Sequence, residues 1–155
     1  MSLPEQISKN FTLSRLTYSP TAKQKNISNY PSEEHYNNLK YLAENVIEKI
    51  HDKYPTVKIN SCYRGSVLNK AIGGAKTSQH MVGQAVDLEV PGLSNKELAN
   101  WIASNVPYDQ LILEMHVPVD PNSGWVHVSI KKAGNRKQKL IITKTKKTIL
   151  VKDKF

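Results

Sequence analysis

Apolar residues recur at helical spacing in one long stretch near the start of the chain. Between Pro31 and Ile50 they stand three or four positions apart, and Ser32 is followed by Glu33 and Glu34. Two carboxylates in a first turn suit the positive end of a helix dipole. The pattern therefore predicts a helix over this stretch.

Two shorter helices are indicated further along the chain. Ser66 to Ile72 is followed by Gly73 and Gly74, which are typical of a helix end. Ser94 has Glu97 three residues after it, the spacing of a capping box, and an apolar face follows. Each of these signals predicts where a helix begins or stops.

Short apolar runs, several of them alternating with polar residues, predict the strands. They cover residues 56–61, 84–90, 108–115, 125–130, 140–142 and 148–151. Proline, asparagine and glycine between the third and fourth runs favour turns, so we expect those two runs to form an antiparallel hairpin. The sequence predicts an α+β fold: a mostly antiparallel central sheet with flanking helices and a basic C-terminal hairpin.

A length of 155 residues suits one domain. We interpret residues 1–30 as an irregular leader, 31–130 as the body of the domain and 131–155 as a basic C-terminal extension. The apolar runs are far shorter than the roughly 20 residues that span a bilayer, so we expect no membrane span. The N-terminus lacks a basic stretch followed by an apolar run, so we expect no secretory signal.

The net charge of +9 is confined to the end of the chain, because residues 131–155 hold ten Lys or Arg and one Asp. Such a segment suits an anionic polymer, whether nucleic acid, an anionic membrane surface or a cell-wall polyanion. It equally suits a solvated surface hairpin. Cys62 is the only cysteine, which excludes an intramolecular disulfide.

Three side chains suggest metal chemistry. Asp87 and His127 each stand within an apolar strand, and His80 lies in a small-residue loop before the first of these strands. A buried carboxylate is costly unless it is paired or binds a metal. Two histidines with one carboxylate are a frequent ligand set for catalytic zinc. Hydrogen-bonded core residues are the alternative, and His116 competes with His127 as a ligand.

Four strings in the middle of the chain resemble the zinc D-alanyl-D-alanine carboxypeptidase family, the M15 metallopeptidases, in its compact branch of phage and bacterial cell-wall peptidases. In order they are Ile59-Asn60-Ser61-x-Tyr63-Arg64, Asn69-x-x-Ile72-Gly73-Gly74, Ser78-x-His80-x-x-Gly83-x-Ala85-x-Asp87, and Asp109-Gln110-Leu111-Ile112-Leu113-Glu114 followed by Trp125-x-His127. Together they span about half of the chain in the order that the family has.

The resemblance implies a role for each matched residue. One zinc ion would be bound by His80, Asp87 and His127. Arg64 matches an arginine that holds the scissile carbonyl or its oxyanion, where a fixed cation stabilises the transition state. Ser78 matches a serine near the substrate amide, although it also suits a purely structural role in the histidine loop.

The general base is where the chain departs from the better-known pattern. Many members carry an acid three positions before the second zinc histidine, but that position here is Gly124. We expect Glu114 to replace it, since a hairpin would bring it towards His127 and apolar neighbours would raise its pKa. Asp109 and Asp120 are the other candidates, the first better suited to structure and the second to a turn.

Two further residues share the face of His127 by the period of two in a strand. We expect Trp125 to be a core residue, although it also suits the wall of a substrate groove. We expect Ser129 to be an outer partner of the site.

The resemblance implies a zinc-dependent peptidase that hydrolyses an amide of the peptidoglycan stem peptide, either a D-Ala-D-Ala carboxypeptidase or an L-Ala-D-Glu endopeptidase. The alternatives are a non-catalytic zinc-containing wall-binding module and, ranked last, a nucleic-acid-binding protein. We expect the basic extension to bind anionic wall polymers. We also expect cytoplasmic synthesis and action at the bacterial wall, through phage-type release, through a virion, or through an export segment missing from this sequence.

Overall fold

The computed structural model describes residues 2–155 and confirms the α+β class. The helices are α1 Leu13–Leu16, α2 Pro20–Gln24, α3 Glu33–Leu42, α4 Glu48–Lys53, α5 Ser66–Ala71 and α6 Asn95–Asn105, with a π-helical turn at Ala43–Ile47 and a 3₁₀ turn at Gln79–Val82. The strands are β1 Lys58–Ser61, β2 Ala85–Glu89, β3 Gln110–His116, β4 Trp125–Ser129, β5 Gln138–Thr143 and β6 Thr148–Leu150.

The helix starts follow from side-chain caps. The hydroxyl of Ser32 accepts a hydrogen bond from the backbone N–H of His35, and α3 begins at the residue after Ser32. Ser94 caps α6 in the same way by accepting from the N–H of Glu97. The predicted helix over 31–50 is thus real, although a π turn divides it and it continues to Lys53.

The six strands form one sheet in the order β1-β2-β4-β3-β5-β6. All neighbours are antiparallel except β3 and β5, which run parallel. The predicted hairpin of β3 and β4 is present, with Ile112 opposite His127 and Glu114 opposite Trp125. The tail forms the predicted hairpin of β5 and β6, joined to the sheet along β3.

Alternation along the strands gives the sheet two different faces. Val86, Leu113 and Val126 lie in the hydrophobic core, which also takes in the apolar faces of α3 and α6. Residues of the opposite parity, such as Asp87 and His127, point away from that core into a cavity. The segment expected to be an irregular leader contains α1 and α2, and its apolar side chains also reach the core.

Candidate metal centre and active-site cavity

A cavity of about 640 Å³ lies over the centre of the sheet. Its walls come from the loop before α5, the loop and 3₁₀ turn that precede β2, and the outward faces of β2, β3 and β4. The six residues with an expected role in metal binding, catalysis or substrate binding all line it: Arg64, Ser78, His80, Asp87, Glu114 and His127. Residues distant in sequence therefore meet in one place.

The cluster of His80, Asp87 and His127 is the best candidate for a metal site. Each offers one ligand atom, and these atoms lie within 4.8 Å of one another. His80 Nε2 is 3.3 Å from Asp87 Oδ2, and His127 Nδ1 is 2.9 Å from Asp87 Oδ1. The strand register explains the second contact, since Asp87 and His127 face each other across β2 and β4.

Hydrogen bonds around His80 fix which ring nitrogen faces the cavity. Its Nδ1 donates to the backbone carbonyl of Cys62 at 2.6 Å, which leaves Nε2 for a ligand. The hydroxyl of Ser78 accepts from the backbone N–H of His80 at 3.2 Å and caps the 3₁₀ turn. Ser78 thus shapes the histidine loop while its side chain lines the cavity.

The protonation states also suit a cation. Burial raises the pKa of Asp87, but its interactions with His80 and His127 outweigh burial and hold that pKa well below the ordinary value. Burial lowers the pKa of His80, which favours the neutral imidazole that binds metals. Two imidazole nitrogens and one ionised carboxylate, all buried, fit the donor set of catalytic zinc.

Glu114 lies beside this cluster, as the hairpin predicted. Its Oε1 is 3.6 Å from His127 Nδ1, and its side chain is 25% exposed. Burial is the largest influence on its pKa and raises it, with Asp87 adding to the effect and His127 and Arg64 opposing it. A carboxyl group with a raised pKa at the cavity wall suits proton transfer near neutral pH.

Arg64 supplies a cation at the same wall. Its Nη1 donates to Ser61 Oγ at 3.5 Å, and its backbone N–H donates to the His80 carbonyl at 3.0 Å. Burial lowers its pKa, whereas the nearby carboxylates of Asp87 and Glu114 raise it. Its Nε is buried without a hydrogen-bond partner among residues 2–155, whereas other atoms of the residue line the cavity.

The other candidate acids and the competing histidine lie elsewhere. Asp109 is fully buried and paired with Arg136 at 2.7 Å, which makes it structural. Asp120 accepts from the N–H of Asn122 in the loop between β3 and β4, as expected of a turn residue. His116 contacts Ser123 Oγ at 3.2 Å and does not belong to the metal-binding cluster found within residues 2–155.

Two expectations about β4 are wrong. Trp125 is not a core residue, because it shares the outward face with His127 and is half-buried in the cavity wall. Ser129 does not support the cluster: its hydroxyl accepts from the N–H of Gln110 at 3.0 Å and joins β4 to the start of β3. A period of two shows which residues share a face, but not what covers that face.

Arg136 is the charged cavity residue that the sequence analysis did not assign to the site. It lies in the basic segment before β5, for which the sequence predicts only surface charge, yet its side chain lines the cavity. Its positive charge is the only sequence feature that could have indicated this position, because an arginine can form an ion pair with an acid such as Asp109.

The comparison with known proteins decides the family. The family model described as Peptidase M15 matches residues 9–129, well over half of the chain. The chain belongs to the peptidase M15 family. Among the curated proteins, none matches its sequence. Members of the family are zinc-dependent metallopeptidases, and this M15 peptidase has a buried donor cluster compatible with that metal.

No helix within residues 2–155 of this M15 peptidase is both long and apolar enough to cross a membrane.

Proposed function

We propose that this M15 peptidase hydrolyses an amide bond in the stem peptide of peptidoglycan. The observation that supports the proposal most directly is the position of Glu114, 3.6 Å from His127 and next to the buried donor cluster. Arg64 and Trp125 line the same cavity, and each has a buried side-chain nitrogen with no hydrogen-bond partner within residues 2–155. A cationic guanidinium on the cavity wall suits the carbonyl oxygen of a bound peptide.

Each residue has a defined task in this proposal. A zinc ion held by His80, Asp87 and His127 would supply the Lewis acid that polarises a carbonyl and acidifies water. Glu114 accepts a proton from the attacking water and passes it to the leaving amine nitrogen as the C–N bond breaks. The guanidinium of Arg64 stabilises the negative charge that develops on the carbonyl oxygen.

The basic extension, residues 131–155, carries exposed lysines that suit binding to an anionic polymer. Lys144, Lys146 and Lys147 are exposed around the turn between β5 and β6. We propose that residues 131–155 hold the enzyme on anionic wall polymers, which raises its local concentration without adding specificity. Action at the bacterial wall is part of the same proposal.

Digestion of purified sacculi, followed by mass spectrometry of the released muropeptides, tests the proposal. We expect zinc-dependent cleavage that a chelator abolishes. Loss of one terminal alanine identifies a D,D-carboxypeptidase, whereas stem peptides cut after the first L-Ala identify an L-Ala-D-Glu endopeptidase. If the zinc-loaded protein cleaves none of several chemical types of peptidoglycan, the result would contradict the proposal and favour a non-catalytic wall-binding module.

The role of the lysines is tested by the binding of intact sacculi at increasing salt. Replacement of Lys144, Lys146 and Lys147 by Gln should weaken binding and flatten its salt dependence. Sacculi stripped of anionic polymers provide the control, since they should bind the parent and the variant equally. Equal binding of both proteins to unstripped sacculi would contradict the role of the lysines.

A further inference from the structure

Arg136 lies beyond the residues 9–129 that match the M15 family, yet its side chain lines the active-site cavity. It precedes β5, and the parallel pairing of β5 with β3 brings this part of the chain to the site. Within residues 2–155, Arg64 and Arg136 are the two cationic side chains on the cavity wall. The basic extension therefore contributes to the site itself.

A buried acid holds Arg136 in place. The two oxygens of Asp109 accept from its Nε at 3.1 Å and from its Nη2 at 2.7 Å, a bidentate contact. The backbone N–H of Arg136 donates to Asp109 Oδ1 as well, at 2.7 Å. Asp109 is 0% exposed, so the guanidinium is anchored on a buried group rather than free to move in solvent.

The anchor leaves one edge of the guanidinium available. Nη1 donates no hydrogen bond to any residue within 2–155, and Nη2 makes one long contact of 3.5 Å to Gln79 Oε1. The side chain is 49% exposed. Lys131 Nζ lies 3.9 Å from Asp109 Oδ1. The single carboxylate of Asp109 therefore faces two cations, Lys131 and Arg136, and the three side chains together keep a net positive charge. A second carboxylate would fit this edge.

The strand geometry places this edge relative to the donor cluster. Gln110, Ile112 and Glu114 line the cavity in turn along β3, and Ile112 lies opposite His127. Asp109, which holds Arg136, directly precedes Gln110. Two residues of a strand span about 7 Å, so the Arg136 end of the cavity is about two peptide units along β3 from the position opposite His127.

We propose that Arg136 binds a free carboxylate on the residue whose amine is released, and so acts as a specificity-determining residue. The inference rests on the proposed peptidase function. Two substrates carry such a group next to the scissile nitrogen: a terminal D-Ala, through its C-terminal carboxylate, and a D-Glu linked through its side chain, through its α-carboxylate. The chemistry that Arg136 recognises is the same in both.

Matched acid and amide substrates test this role. One pair ends in D-Ala-D-Ala or D-Ala-D-alaninamide, and the other contains L-Ala-D-isoglutamate or L-Ala-D-isoglutamine. For whichever pair is cleaved, we expect the zinc-loaded enzyme to prefer the acid by about tenfold or more in kcat/KM, the size of a charge-assisted hydrogen bond. Arg136→Gln should abolish this preference, chiefly through KM, and Arg136→Lys should reduce it. Lys49→Gln removes an exposed charge on α4, outside the basic extension, and should leave the preference intact.

A purely structural role for Arg136 gives a different result. Its variants would then lose stability, and their kcat/KM would fall by the same factor for acid and amide substrates. An unchanged ratio of the two kcat/KM values would overturn the inference. Because Arg136→Gln leaves Asp109 buried without its partner, the double variant Arg136→Gln, Asp109→Asn is the companion. It removes both charges and should also lose the acid preference.

Peptide binding by calorimetry separates this inference from the proposed function. If the wild type cleaves none of the four peptides but binds the acids better than the amides through Arg136, the proposed function fails and the inference stands. If peptides are cleaved and the Arg136 variants keep the acid preference, the inference fails alone. No cleavage and no acid preference in binding would reject both.

Discussion

Gly124 lies so close to the backbone of Glu114 that a side chain cannot be added there. A Cβ built on Gly124 would be 1.7 Å from the carbonyl oxygen of Glu114, and the φ angle of Gly124 is +69°. That angle lies in the left-handed region that favours glycine. The backbone therefore leaves no room for an acidic side chain at position 124, and Glu114 is the acid that reaches the donor cluster.

Replacement of Gly124 by Ala should destabilise the protein strongly. A Cβ would be strained by the positive φ and would also collide with the Glu114 carbonyl, so we expect a loss well above about 1 kcal/mol in the free energy of unfolding. Urea denaturation measures it. Gly134→Ala is the matched control, because Gly134 has φ +72° and a Cβ added there would meet nothing within 4 Å. Equal losses in both variants would contradict the steric argument.

Much of the site could be predicted because it depends on local patterns. The alternation in β2 and β4 placed Asp87 and His127 within strands, and the turn-rich loop predicted the hairpin that brings Glu114 to His127. Arg136 escaped prediction because it reaches the site through the parallel pairing of β3 with β5, a contact between distant segments that no local pattern encodes.

Glu114→Gln should abolish most of the peptidase activity while leaving the fold and the metal site intact. The amide cannot accept a proton from water, and loss of a general base typically lowers kcat by about 10²–10⁴-fold. Glutamine has nearly the same shape, so zinc content should be unchanged. Kinetics on the cleaved stem peptide and metal analysis of the same sample measure both effects.

Glu44→Gln is the control for that variant, since Glu44 is exposed on the long helical segment far along the chain from the site. It should retain full activity. If the Glu114→Gln enzyme is as active as the wild type, the assignment of Glu114 as the general base is wrong.

Removal of zinc should lower the melting temperature of the protein. The cluster exists only in the folded chain, so zinc binds the folded state alone. At a free concentration of 1,000 times its dissociation constant, the zinc ion stabilises the folded state by about 4 kcal/mol. Asp87→Asn should abolish most of this zinc-dependent shift, because it removes the carboxylate that contacts both histidines. Calorimetric scans with zinc and with chelator measure the shift.

His116→Gln is the comparison for the metal prediction, as His116 lies outside the donor cluster. It should still bind one zinc ion and keep the full shift. Loss of zinc from His116→Gln, with zinc retained by Asp87→Asn, would contradict the assignment of the ligands.

The pair of Asp109 and Arg136 should make stability depend on pH. Burial raises the pKa of Asp109, but hydrogen bonds from Arg136 and its charge outweigh burial, and the pKa lies below its ordinary value. The folded pKa is thus lower than the unfolded pKa. The pair therefore stabilises the protein fully above about pH 5, and this stabilisation is lost as the pH falls through the folded pKa.

Asp109→Asn removes the charge with little change of shape, so its effect should vary with pH. At pH 7 we expect a loss of about 1–3 kcal/mol, typical of hydrogen bonds to a charged group. Towards pH 3 the difference from the wild type should shrink, because Asp109 of the unfolded wild-type chain then takes up a proton, which lowers the stability of the folded form. Urea denaturation between pH 3 and pH 7 measures both proteins, with Asp52→Asn, an exposed site, as control. A loss that stays constant over this range would show that the ionised form of Asp109 is not what stabilises the fold.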